Sequence, residues 1–478
     1  MSINPNTAAV ALAVALAIAC AGCGSNGTGS TPPMQVISTD PYDNTDTWHA
    51  TEVESDSFAY GGTIVATFQA GRASNGGASN IGWARSADGG VTWSHGFLSG
   101  LTRIAGGMYD RVTDSVVAYD AFHDVWMISS IGFDIIDSRV GPPAELFVSR
   151  STDGGRTWQN PISLERRLTQ PIQDKNWTVC DNHPASPFYG YCYTQYSDPS
   201  STPDGYPLVM RVQTSTDGGL TWGPALGVDV EQYGGGGQPV VQPSGNVVVP
   251  FEQLSREDQS FDAMASFRST DGGLSWGDTV QIAPVRVAYR AQNDIRLGVL
   301  PSATVDDNGR VYVVWNDCQF ESGCTANDVV LSSSIDGLNW TPPARVPVNP
   351  VGSGRSQMLP AIEVKPGTSG ESAHLALVTY YIDDAQCSTD RCWLRAAYLS
   401  SVNGGQSWST KTHLGSPMRL PWFPNTSSGR MFGDYMAISF ALDGMAVPII
   451  PLARPPIGSV MDVTMQATRL PVTGGTQR

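Results

Sequence analysis

The chain has 478 residues, 44 acidic and 28 basic, for a formal net charge of −16. A surface this acidic repels phosphate backbones, which excludes nucleic acid as an expected partner. Charged residues are only 15 %, with 51 Gly and 33 Pro, and no amphipathic helical period is sustained. That profile argues against a helical protein and for many short strands joined by tight turns.

The first element is an apolar stretch, AAVALAVALAIA at 8–19, too short to span a bilayer comfortably. It runs into CAGCGSNGTGSTPP, which resembles a bacterial lipoprotein signal, although no Lys or Arg precedes the apolar run. The resemblance implies lipidation at Cys23, with Cys20 as the alternative, and a Gly/Ser/Pro tether over 24–33. Export is the expectation, with the membrane met only through a lipid anchor. The remaining cysteines fall in three local pairs, Cys180 with Cys192, Cys318 with Cys324, and Cys387 with Cys392. None has zinc-site spacing, so three loop-stapling disulfides in an oxidising compartment are expected.

Between residues 34 and 470 one phrase returns: SADGGVTW at 86–93, STDGGRTW at 151–158, STDGGLTW at 215–222 and STDGGLSW at 269–276. Weaker copies are SIDGLNW at 334–340 and SVNGGQSW at 401–408, giving a mean period of 63 residues. The chemistry is that of a turn. Asp88, Asp153, Asp217, Asp271, Asp336 and Asn403 accept backbone N–H groups, and the glycines take conformations other residues resist. Trp93, Trp158, Trp222, Trp276, Trp340 and Trp408 then supply large apolar plugs.

A second repeat lies between these turns: an apolar strand, a Gly/Asn/Asp turn and another apolar strand. It occurs at 58–69, 112–131, 176–196, 238–253, 300–317, 358–382 and 434–450. The last hairpin is followed by MDVTMQATRL but no turn phrase, and MQVIS at 34–38 can supply its missing fourth strand. The expected fold is therefore all-β, a single propeller of four-stranded blades closed by an N-terminal strand. Seven blades are favoured, six the alternative, with 471–478 as a tail.

The turn phrase resembles the Asp-box, or bacterial neuraminidase repeat, of sialidases and other β-propellers. The resemblance implies that the boxes lie between third and fourth strands at the periphery, away from any active site. The chemistry is then expected where the innermost strands begin, at one mouth of the channel. The internal register places Asp110-Arg111, Asp174-Lys175, Gln238, Arg296, Arg355, Gln357 and Asp434-Tyr435 there.

A sialidase needs arginines for a carboxylate, a Tyr activated by a Glu, and an Asp as acid and base. Arg296, Arg355, Arg395 and Arg430 are the candidate arginines, Tyr435, Tyr381 and Tyr289 the candidate phenols, and Glu252 the carboxylate. Asp174, Glu252, Asp434 and Tyr435 are the catalytic candidates; Asp110, Arg111, Lys175, Gln238, Arg296, Arg355 and Gln357 are the substrate-binding ones. Two features depart from the family. No RIP tripeptide occurs, and there is no Asp or Glu from Ser57 to Ala87. Two readings stay open: a sialidase-like glycoside hydrolase, and a non-catalytic propeller that binds glycan or protein. DDNG at 306–309 reads as a hairpin turn rather than a calcium loop, so no metal and no cofactor are expected.

Overall fold

A computed structural model describes residues 31–199, 208–227, 233–255, 261–288 and 294–477. The expected signal, Cys20, Cys23, most of the tether and Tyr289 lie outside the described residues. Among these residues strands are joined by turns and short 3₁₀ segments, and there is no α-helix. The chain is a β-propeller. Its innermost strands pack side by side around an axis: Glu52–Tyr60, Arg111–Asp120, Asp174–Cys180, Val240–Val241, Ser302–Val305, Ser356–Val364 and Ala437–Phe440, the last against the first.

Hydrogen bonding gathers these strands differently from the seven or six separate blades expected. Among the described residues, sheets of four or more strands number five. One has eight strands, because the pair Ala78 and Val112 joins the set that begins at Glu52 to the set that begins at Arg111. Among the described residues the sheet Asp174–Cys180, Cys192–Pro199 and Leu208–Ser215 stops at three strands, extended by the isolated pairs Val212 with Leu226 and Val209 with Tyr233. A regular period in sequence therefore does not become a regular count of blades. The ring closes at the N-terminal strand Gln35–Val36, antiparallel to Val463–Ala467. Residues 471–477, expected as a tail, lie along the Trp393–Ser401 strand, where Trp408 N–H donates to the Gln477 carbonyl at 2.9 Å.

The repeated turns follow the third strands, as at Ala78–Ser86, Arg139–Ser151 and Trp393–Ser401. In the 151–158 turn, Asp153 accepts the Arg156 and Thr157 N–H groups, both at 3.0 Å, and the Thr157 hydroxyl at 2.6 Å. Ser151 accepts Gly155 N–H at 3.0 Å. These donors hold the Asp153 carboxyl well below its usual range. Gly155 has φ of +78°, and a Cβ there would sit 2.9 Å from Val65 of the neighbouring strand set.

Three of the turns also accept from the strand set before them. Arg150 Nε donates to the Gly218 carbonyl at 2.6 Å, and Arg268 Nη1 to the Asp336 carbonyl at 2.6 Å; Arg85 reaches Gly154 likewise. The six tryptophans enter six different apolar clusters between adjacent strand sets. Three disulfides, Cys180–Cys192, Cys318–Cys324 and Cys387–Cys392, join the expected pairs.

The turns and plugs should therefore differ in weight. Trp408→Ala, at a side chain 1 % exposed, is expected to cost about 3–5 kcal/mol in chemical denaturation. Asp153→Ala, which strips acceptors from solvent-facing groups, is expected to cost about 1 kcal/mol. Equal losses would contradict this division of roles.

Candidate functional site

Four of the innermost strands carry a bulge whose first residue has left-handed backbone. Glu54, Asp114, Lys175 and Leu359 have φ of 57°, 52°, 54° and 50°. Each sits at a break in strand register, between Val53 and Asp56, Thr113 and Val116, Asp174 and Trp177, and Met358 and Ala361. A left-handed, non-glycine residue within a strand is costly and re-aims its side chain. At three of the four positions that side chain is ionisable.

These bulges assemble a charged cluster at one end of the axis. Arg296 Nη2 lies 2.6 Å from Asp434 Oδ2. Asp434 also accepts a hydrogen bond from the Glu54 carboxyl. Glu54 is held by Gln69, which donates on to Thr113 at 2.9 Å and accepts from Arg72 Nη1 at 2.8 Å. Asp114 Oδ2 accepts Lys175 N–H at 3.2 Å. The Lys175 ammonium lies 3.5 Å from the centre of the Tyr435 ring. It is buried and makes no hydrogen bond. Trp177 packs edge-on against the same Tyr435 ring, with centroids 5.5 Å apart. The Tyr435 phenol donates to the Ser115 carbonyl at 3.2 Å.

Burial and neighbouring charge divide the acids into two kinds. Burial, with Asp434 next, pushes the Glu54 carboxyl up. Asp174 is pushed up by its crowded surroundings and by Asp114, although solvent reaches it. Glu252 is pushed up to about 8 by burial and by Asp434. Asp434 moves the other way: Arg296 and Lys175 outweigh its burial and hold it below its usual value. Tyr435 is raised well above the ordinary phenol value by burial and the surrounding carboxyls. Further buried groups here lack partners, among them Glu252 Oε1, Gln195 Oε1 and both amide atoms of Gln173. Gly234 lies flush on the Glu252 strand, where a Cβ would meet the Glu252 carbonyl at 2.3 Å.

Of the residues chosen from sequence, Asp174, Lys175, Glu252, Arg296, Asp434 and Tyr435 interact as one cluster. The others are engaged elsewhere. Asp110 pairs with Arg103 and accepts Ile135 N–H, and Arg111 pairs with Asp46. Gln238 exchanges amide hydrogen bonds with Ala303, at 3.3 and 3.1 Å. Gln357 accepts Val329 N–H at 3.0 Å and donates to Asp328.

Arg355 lies 3.7 Å from Asp383, in a group with Arg395, Lys411, and Tyr381, whose phenol bonds His413 at 2.8 Å. Arg430 donates to the Phe423 carbonyl at 2.9 Å. Sequence reasoning missed Glu54, Arg72 and Asp114. The spacing of Glu54-Ser55, Asp114-Ser115 and Lys175-Asn176, 60 and then 61 residues apart, is the signal that marks them. No group of three or more His, Cys, Asp or Glu among the described residues is arranged to hold a metal ion.

Comparison places this propeller near sialidases in sequence. It is 27 % identical to a sialidase of Micromonospora viridifaciens over 203 residues, 36 % of this chain and 31 % of that protein. It is 25 % identical to a sialidase of Bacteroides fragilis strain YCH46 over 171 residues, 30 % of this chain and 28 % of that protein. The match thus spans less than a third of either relative. Among solved structures, an α-L-arabinanase of Penicillium chrysogenum aligns with TM-score 0.47 and 14 % identity, over 92 % of this chain and 99 % of that one. No family model matches the chain. The chain is a β-propeller that resembles sialidases in sequence over part of its length.

Glu252 supplies a pH test of the cluster. Its carboxyl is neutral when folded and ionises freely near 4.5 when unfolded, so stability falls as pH rises from about 4.5 to about 8. Glu252→Gln is expected to flatten that fall, by up to about 3 kcal/mol at neutral pH, in urea titrations at pH 5 and pH 8. Parallel pH profiles for wild type and variant would contradict the buried, neutral state.

Proposed function

We propose that this propeller acts on glycans at the mouth of its axis, cleaving glycosidic bonds as a sialidase-like hydrolase. The observation that carries this reading is the geometry of the cluster: Asp434 paired with Arg296 at 2.6 Å, Glu54 buried beside it and Asp174 open to solvent, an arrangement in which Arg296 lowers Asp434 while burial and like charge raise Glu54 and Asp174. Pairs of acids pushed apart in this way are what glycoside cleavage requires.

Asp174, reached by solvent, is the general acid that protonates the departing oxygen. Asp434 faces the positive charge that develops on the sugar ring. Arg296 and the unpartnered Lys175 ammonium receive an acidic group of the substrate. Tyr435 is not assigned the nucleophile's part. Its phenol is hydrogen-bonded, buried and raised in pKa, the reverse of an activated phenolate. It forms the floor of the site with Trp177. The relatives named as sialidases support an exo-sialidase-like substrate preference for this reading. Export fits the three disulfides and the apolar 8–19 stretch, with Cys23 or Cys20 as the lipid-bearing residue.

The test is a panel of fluorogenic sialosides and neutral aryl glycosides with the purified chain. Turnover is expected, with Asp174→Asn slowing it about 10²–10⁴-fold. Arg296→Ala should raise KM more for acidic than for neutral substrates. If the panel is silent while glycan arrays show binding lost in Arg296→Ala, the propeller is a non-catalytic glycan-binding module instead.

A further inference from the structure

We propose that the axial cavity on the hairpin-turn side of the ring binds an organic cation, an ammonium group carried on an apolar body, apart from the charged mouth. The cavity has a volume of about 370 Å³. Its walls are apolar, with Phe58, Val117, Trp177, Val241, Ile362 and Phe440 among them. Its carboxylates are Asp56, Asp307 and Glu363; it has no Lys or Arg, and the one histidine in the lining, His183, is engaged through Nε2 with the Val241 carbonyl at 3.2 Å.

The carboxylates are fixed by the strands rather than by one another. Asp56 accepts Val117 N–H at 2.8 Å, Glu363 accepts the Thr304 hydroxyl at 2.6 Å, and Asp307 accepts Gly367 N–H at 3.0 Å. Opposing charges flank the cavity rather than line it: Lys175 acts on Asp56 from the mouth end, and Lys365, packed against Gly444, lies at the hairpin-turn end. The Lys175 ammonium is already seated on the Tyr435 ring, and the contact of that ring with Trp177 stands between the mouth and the cavity. At the other end Tyr60, Asp307 and Pro366 are exposed, so solvent and solutes enter from the hairpin turns. Tyr60 adds an aromatic face there, stacked at 4.4 Å on Tyr119.

Charge and wall chemistry together select the occupant. An anion finds no Lys or Arg in the lining and meets three carboxyls. A metal ion needs a shell of six to eight oxygens, or a tight His/Cys set, which mostly carbon walls do not provide. A neutral apolar solute fills the space but brings no counter-charge to the carboxyls. Burial lifts Asp56 and Glu363 to about 7, so a cation between the walls gains by drawing them to their charged forms. Aromatic faces and carboxylates are the recognised means of holding ammonium groups.

The experiment is calorimetric titration of the intact chain with benzyltrimethylammonium, with benzyl alcohol and calcium chloride as controls. One cation per chain is expected, bound at least tenfold more tightly than benzyl alcohol. Glu363→Gln should weaken it about tenfold and leave binding and turnover at the mouth unchanged. No saturable binding, equal affinity for benzyl alcohol, preference for calcium, or indifference to Glu363→Gln would each overturn the proposal. Should Glu363→Gln fail to fold, the wild-type comparison of the three solutes decides alone. Because Glu363 belongs to no part of the mouth, failure here leaves the glycan reading standing, and failure there leaves this one.

Discussion

Everything at the axis depends on how one strand set grips the next. Arg85, Arg150 and Arg268 each stand immediately before a repeated turn and donate to a carbonyl in the following one. Gly155 brings its turn so close to Val65 that a methyl group would not fit. Tryptophans fill what remains. These contacts set the tilt and spacing of neighbouring strand sets, and so bring the inner strands together around a narrow axis. Inter-strand ties at the axis itself, such as Gln238 with Ala303 and Glu363 with Thr304, are the inward counterpart of the same grip.

Much of this frame was legible in the sequence, because turns are local chemistry. Ser, Asp, two glycines and Trp within eight residues define a hydrogen-bonded loop wherever they fall. Alternating apolar runs locate the hairpins, and the short Cys spacings limit the pairings. The number of blades was not legible. It hinges on one backbone pair, Ala78 with Val112, and on a sheet that stops at three strands, neither of which leaves a mark in composition.

The mouth was half legible for a related reason. Counting residues before each inner strand finds Asp174, Arg296 and Asp434, but it assumes regular strands. The bulges break that regularity and pass the inward position to Glu54 and Asp114, while at the third bulge it falls on Lys175, which the count had reached together with Asp174. Where the count gave Asp110-Arg111, the bulge gives Asp114 in the same strand. Asp110 and Arg111 are left to neutralise Arg103 and Asp46 at the edge. Strand patterning carries no sign of a left-handed residue unless it is glycine, and none of these is.

The N-terminal strand Gln35–Val36 has a partner that lies more than four hundred residues away in sequence. During synthesis that strand is made first and must stand unpaired until Val463–Ala467 exists. Ile37, Ser38 and Glu52, buried in the finished ring, wait with it. The last sheet is therefore assembled from both ends of the chain at once. It acts as a check on completeness: a polypeptide truncated before residue 463 leaves an open edge on the outer side of the last sheet rather than a slightly shorter propeller.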